Sequence, residues 1–163
     1  MEILDLYDIN NNKLGKSIVR GEKPGKGEYI KLCVIYLKCK DRYLIQKCSV
    51  EKGGEFAVTG GHVPTGKTGE EQVIIEVKEE LGITIDKGKL KLLGLFVKGN
   101  ALFDVFMYED DNLENQKFTL QKEEVEDVFW LTKEEISDLI DKGVVRDSTS
   151  KHFAKFIKNS DNM

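Results

Sequence analysis

Glu76, Glu79 and Glu80 stand at i, i+3 and i+4, a spacing that puts three carboxylates on one face of a helix. Ile74, Val77 and Leu81 fall on another face and suit it to a core. Like charges so placed oppose the helix by roughly 0.2–0.5 kcal/mol per pair. Glu79 and Glu80 also occupy the last turn, where the macrodipole favours cations. A divalent cation removes both penalties. Hard oxygen ligands on a rigid helix suit Mg²⁺ or Mn²⁺, which keep several waters and share the rest of their coordination with phosphates. Read from the three acids alone, a solvated glutamate face is the alternative. Gly60-Gly61 shifts the balance, because glycines at a strand end directly before the acidic helix let backbone approach a ligand closely.

The elements around this helix are legible from periodicity and punctuation. Ile3 to Tyr7, Ser17 to Arg20, Tyr29 to Leu37, Tyr43 to Lys47 and Glu55 to Thr59 read as strands, with Lys38 to Arg42 as a turn and His62 to Lys67 as a loop. Thr68 caps the helix, Glu71 completes a capping box, and Gly82 stops it. Leu90 to Val97, Leu102 to Tyr108 and Val125 to Leu131 follow as strands. Thr132 with Glu135 opens a second helix, and Ser148 or Thr149 a third. Strands, one helix, more strands and one or two helices predict an α/β fold. A mixed β-sheet with helices on both faces accommodates that order.

The length of 163 residues fits a single domain. Residues 1–28 read as an N-terminal strand and loop extension, and 159–163 as a frayed tail. With 40% hydrophobic and 33% charged residues, the composition is that of a globular protein. A net charge of −4 offers no broad attraction for nucleic acid. Acidic clusters sit at 70–80 and 109–127, an arrangement that needs a cation before it can meet an anionic substrate. Cys33, Cys39 and Cys48 lack metal-ligand spacing and read as reduced thiols, with Cys39 in a turn and none of the three given a chemical role. The N-terminus is acidic, and the longest apolar run, Leu32 to Leu37, is too short for a bilayer, so no membrane partner and a cytoplasmic location are expected.

Gly61, then Glu76-Val77-Lys78-Glu79-Glu80-Leu81-Gly82-Ile83, resembles the Nudix signature G-x5-E-x7-R-E-U-x-E-E-x-G-U, in register and without insertion. The resemblance implies an α/β/α sandwich and a metal-dependent hydrolase that cleaves a diphosphate linkage in a small molecule, generically a nucleoside diphosphate derivative, by water attack at phosphorus. Glu76, Glu79 and Glu80 then hold the metal and carry catalysis, with the carbonyl of Gly60 or Gly61 as a further ligand. It also implies an additional acid before a strand ending in tryptophan, for which Glu124, six residues before Trp130, is the first choice and Glu123 and Glu126 are alternatives. Gly61, His62 and Lys47 are candidate substrate contacts. Relatives of this kind also form homodimers.

Two positions depart from the signature: Lys67 stands for its first glutamate and Ile75 for its arginine, which in the family orients the carboxylates. Either apolar packing now holds the helix, or catalysis is weakened. The departures keep open a ligand-binding module on a Nudix scaffold that does not hydrolyse. Leu4 to Asp8, Gly15-Lys16 and Tyr43 to Lys47 resemble a branch related to isopentenyl diphosphate isomerase. Against an isomerase, no cysteine lies near Gly60-Gly61, and Cys48 falls twelve residues early.

Overall fold

The computed structural model describes residues 1–160; of the expected frayed tail, residues 161–163 lie outside the described residues. In chain order the elements are β1 (Ile3–Tyr7), β2 (Lys13–Val19), β3 (Ile30–Cys39), β4 (Arg42–Cys48), β5 (Phe56–Ala57), β6 (Thr59–His62), α1 (Gly69–Leu81), β7 (Leu90–Lys98), β8 (Ala101–Glu109), β9 (Val125–Leu131), α2 (Lys133–Asp141) and α3 (Asp147–Phe156). β1 and β2 form a separate ribbon. Tyr7 and Tyr29 tie it to the body by exchanging both backbone hydrogen bonds, at 2.8 and 2.9 Å.

The main sheet runs β5-β4-β3-β8-β7 and is mixed, because β3 lies parallel to β8 and antiparallel to β4. β3 and β4 pair at only two positions beside their hairpin, Lys38 with Tyr43 and Cys39 with Arg42. They then separate. β3 takes β6 as its partner, while β4 takes β5 and β9. The gap between the two halves is where the site forms.

Strand periodicity sorts the side chains of β3 between two cores. Cys33, Ile35, Leu37 and Cys39 pack with Val73, Val77 and Leu81 of α1. Val34 and Tyr36 face the other way, toward Ile136 of α2 and Phe153 of α3. Each of the larger aliphatic side chains contributes roughly 1.5–3 kcal/mol by leaving water. The result is the expected α/β/α sandwich. Among the described residues no helix is long and apolar enough to cross a membrane.

Both capping boxes form. Thr68 Oγ1 accepts from the Glu71 amide at 3.1 Å while Glu71 accepts from the Thr68 amide at 2.9 Å, and Thr132 with Glu135 repeats the arrangement. Gly82, at φ 74°, closes α1.

Four expectations are corrected. Glu55 to Thr59 is not one strand: β5 and β6 are distinct, and Gly60, Gly61 and His62 belong to β6 rather than to an end and a loop. The register of Gly61 opposite Cys33 draws them into the sheet. Cys39 is a buried strand residue, since the turn needs only Lys40 and Asp41, with Lys40 at φ 58°. The second strand of the ribbon begins earlier than expected, at Lys13. α3 starts at Asp147, with Arg146 at its cap making no side-chain capping bond, so Ser148 and Thr149 are buried in the first turn rather than capping it.

His152 lies wholly inside the second core, its Nδ1 2.6 Å from the Tyr36 hydroxyl and its Nε2 without a partner. Burial pushes its pKa down to about 4 from the ordinary 6.5. Above that ordinary value the imidazole is neutral whether folded or unfolded. As pH falls from about 6.5 toward 4, only the unfolded chain takes up the proton, so stability declines through that window. His152→Gln keeps an acceptor for Tyr36 and does not titrate. Urea unfolding of this variant should show a loss between about pH 7 and pH 5 that is smaller than wild type's by roughly 2 kcal/mol.

Candidate active site

α1 lies against β3 and β6, and its Glu80 meets Gln46 of β4 across the gap. Glycine is required where these elements meet: a Cβ on Gly60 would strike the Cys33 carbonyl and Val34, and one on Gly61 would strike the Glu76 carboxylate. The close approach lets Glu76, Glu79, Glu80, Gly60 and Gly61 line one cleft, with Glu124 from the loop before β9 completing it.

That loop is held by the end of α1 itself. The orphan carbonyls of the last helical turn need donors, and Glu80 O accepts from the Gln121 amide at 3.0 Å while Leu81 O accepts from Thr119 at 2.9 Å. The same bonds cap the helix and carry Glu124 to the cleft. Ser49 secures the far side, its amide donating to Glu124 O at 3.0 Å and its hydroxyl to Glu123 O at 2.8 Å. Glu124 pairs with Lys52 at 3.3 Å. Neither alternative acid lines this cleft: Glu126 pairs with Lys47 at 3.6 Å, and Glu123 faces a separate depression near Val50.

The carboxylates are held by amides. Gln72 Nε2 donates to Glu76 Oε1 at 2.8 Å, and Gln46 Nε2 donates to Glu80 Oε1 at 3.2 Å. Gln46 in turn accepts from Thr59 Oγ1 at 2.9 Å. This chain of bonds crosses the gap from β6 through β4 to α1. Glu80 is only 5% exposed. Burial pushes its pKa up to about 9, with a hydrogen bond to Glu76 and the nearby negative charges acting in the same direction and Gln46 opposing them. Burial also raises the Cys33 thiol, whose Sγ donates to the Gly61 carbonyl at 3.6 Å. His62 is held below its ordinary value, first by burial and then by the charge of Arg20.

Of the sequence-predicted residues, Glu76, Glu79, Glu80, Glu124, Gly60, Gly61 and His62 come together. Lys47 does not: its ammonium donates to Gly54 O at 2.9 Å and pairs with Glu126, so it is turned away from the cleft. The apolar substitution at Ile75 is not what holds the carboxylates, since Gln72 and Gln46 do that, and Lys67 is exposed. Both glutamines were legible in principle. Gln72 is one turn before Glu76, and Gln46 is a lone amide in an apolar strand. Arg20, Lys52, Arg146 and Cys48 also line the cleft, brought there by long-range packing that no local pattern marks. Among the described residues no three His, Cys, Asp or Glu side chains are placed so that, as they stand, they could hold a metal ion.

The NUDIX domain family matches residues 31–153. An uncharacterised Nudix hydrolase of Listeria monocytogenes is 34% identical over 151 residues, covering 88% of this chain and 87% of its own. One of Listeria innocua is 34% identical over 149 residues, with the same coverage of both chains. Among solved structures, a Deinococcus radiodurans protein superposes with a TM-score of 0.81 at 21% identity, covering 96% of this chain and 99% of its own. A bifunctional NMN adenylyltransferase/ADP-ribose pyrophosphatase of Francisella tularensis, solved with AMP and a manganese ion, gives 0.65 at 16% identity over 83% of this chain and 42% of its own.

Gln46→Leu removes the donor to Glu80 and the acceptor for Thr59 while keeping a similar volume. Two buried polar groups lose their partner, and the variant should unfold about 1–3 kcal/mol more easily in urea than wild type. Equal midpoints and slopes would mean that water replaces the amide at no cost.

Proposed function

This chain belongs to the Nudix family as a Nudix-type pyrophosphohydrolase, and from that premise we propose that it is a metal-dependent hydrolase of a diphosphate linkage in a nucleoside diphosphate derivative or related small molecule. The observation that carries this reading is the convergence of Glu76, Glu79, Glu80 and Glu124 on one polar cleft beside Gly60 and Gly61. Such a density of carboxylates repels a phosphorylated substrate unless a cation lies between them. The donor set, all hard oxygen, fits Mg²⁺ or Mn²⁺. Glu76, Glu79 and Glu80 would hold the ion with the Gly60 carbonyl, once the carboxylates turn from Gln72 and Gln46. When bound, it neutralises the diphosphate oxygens and makes phosphorus a better electrophile.

The chain's own residues supply the rest. Gln72 and Gln46 set the resting directions of Glu76 and Glu80, so few rotations separate the resting site from a binding one. Glu124 faces the α1 carboxylates from the opposite wall and accepts the proton of an attacking water, its charge steadied by Lys52. Gly61 and His62 line the path of the substrate, His62 as a neutral hydrogen-bonding group. The Francisella relative, with its ADP-ribose pyrophosphatase activity and bound manganese, supports both the reaction class and the metal.

A second reading, ligand binding without hydrolysis, is favoured by Lys67 and Ile75, which leave the signature's charged pair unfilled. Isomerase chemistry has less support. The thiols nearest the cleft, Cys33 and Cys48, are both held protonated by burial.

Release of phosphomonoester products from a panel of nucleoside diphosphate derivatives in Mg²⁺ and Mn²⁺, followed by chromatography, tests the proposal. Glu79→Gln and Glu80→Gln should each lower kcat by about two orders of magnitude or more while the circular dichroism spectrum is unchanged. Full activity of both variants at saturating metal would sink the assignment of the site. Binding without turnover in wild type would instead establish the second reading. Lys67→Glu with Ile75→Arg should raise metal affinity, measured by Mn²⁺ titration; no gain would mean the two glutamines already compensate.

A further inference from the structure

The cleft has a second lobe with a different lining. Arg20, His62, Gly60, Glu80 and Glu124 form a wall common to both lobes, so one ligand can span them. The second lobe is a cavity of about 250 Å³. Leu32, Val34, Val58 and Phe103 give it an apolar side. Lys52 and Arg146 make the other side basic beside the neutral Cys48 thiol, and Ser148 and Thr149 add hydroxyl donors.

Arg146 is the anomaly. Its Nη2 donates to Cys48 Sγ at 3.3 Å, a thiol that burial keeps neutral. Arg20 pairs with Glu2 at 3.2 Å, Arg42 with Glu135 at 3.4 Å and Lys52 with Glu124 at 3.3 Å. Among the described residues no carboxylate pairs with Arg146. Guanidinium is always charged and presents five donors in a fork matched to oxyanions. The backbone fixes where that fork is presented: the Arg146 amide donates to Phe56 O at 2.8 Å, and its carbonyl accepts from Ser150 at 2.9 Å. A partly buried charge without a counter-ion is costly to the protein alone and is satisfied when a ligand brings the anion.

We propose that the second lobe binds the part of the substrate beyond the scissile linkage, and that this part is a short carbon frame ending in a second phosphate held by Arg146 with Lys52 beside it. The inference rests on the hydrolase reading for the position of the diphosphate, which occupies the carboxylate lobe. An unpaired guanidinium fork and two hydroxyls, with the Glu124-paired Lys52 beside them, suit a dianionic phosphate better than a carboxylate. The apolar side covers the carbon frame. Apart from His62 in the wall shared with the carboxylate lobe, Phe103 is the one ring among the described residues that lines the second lobe, which gives a nucleobase little to stack on. The substrate class is therefore a phosphorylated small-molecule diphosphate, such as a sugar phosphate that carries a diphosphate.

Two probes separate this from the hydrolase reading: 5-phosphoribosyl 1-diphosphate, which has the distal phosphate, and isopentenyl diphosphate, which lacks it. Affinities are measured by calorimetry in Ca²⁺ and turnover in Mg²⁺. Wild type should bind the first at least about ten-fold more tightly. Arg146→Gln should bring that ratio close to one, and Arg146→Lys should restore part of it. Should Arg146→Gln not fold, as judged by its melting temperature, Arg146→Lys and Lys52→Gln provide the same ratio and should each lower it. No preference in wild type, no binding of either probe, or a ratio unchanged by the variants would overturn the subsite. Preference without turnover would keep the subsite and remove hydrolysis of these compounds, whereas turnover of both at equal affinity would do the reverse.

Discussion

β3 and β4 stop pairing after two residue pairs, and the rest of the site depends on that separation. A sheet that stayed closed would leave Gln46 facing its neighbour across a continuous ladder. Because the strands part, β6 and β5 take up the freed edges, and Glu80 of α1 meets Gln46 of β4 across the space between them. Those strands pair the freed backbone edges, and the buried polar side chains left at the opening must find partners of their own. The bonds from Thr59 to Gln46 to Glu80 do this with side chains. The element that spans the opening is thus also the element that aims a carboxylate into it. Structure and chemistry are coupled here: a change that repairs the opening damages the site.

The placement of Glu80 is unfavourable for the protein alone. A carboxyl group that is 5% exposed, beside Glu76 and across from Glu124, is stable mainly when protonated. Such groups cluster where a protein performs chemistry, because an arrangement chosen for stability would disperse them. The fold supplies stability from elsewhere. Val73, Val77 and Leu81 anchor the opposite face of α1, the Thr68–Glu71 box caps its start, and Thr119 and Gln121 cap its end. The helix can therefore carry three acids on one face without fraying.

Much of this was legible in the sequence, because it depends on local rules. The spacing of Glu76, Glu79 and Glu80, both capping boxes and the alternation along β3 are all short-range patterns, and they place α1 and the two-layered cover of helices correctly. The errors fall where a long-range contact decides. Gly60-Gly61-His62 reads as a strand end and loop until Cys33 and Val34 are known to lie opposite it. Lys47 reads as a candidate substrate contact, yet its neighbours are Glu126 and Gly54, the former distant in sequence. Arg146 lies 70 residues beyond Glu76 in number but lines the same cleft, through the bridge between Phe56 and Val145. No periodicity could connect those positions.

The departures at Lys67 and Ile75 have a physical interpretation in the amides. An arginine beside the acidic face would hold the carboxylates by charge as well as by hydrogen bonds, a strong and long-ranged constraint. A glutamine holds one oxygen through a neutral hydrogen bond worth about 1 kcal/mol net. Gln72 on Glu76 and Gln46 on Glu80 therefore orient without neutralising. Neither amide adds a positive charge, so basic side chains able to meet an anion must come from elsewhere. Lys52 and Arg146 stand on the opposite wall of the same cleft. The positive charge that the signature would place on α1 is thus found across the gap, where Lys52 pairs with Glu124 and Arg146 has no carboxylate partner among the described residues.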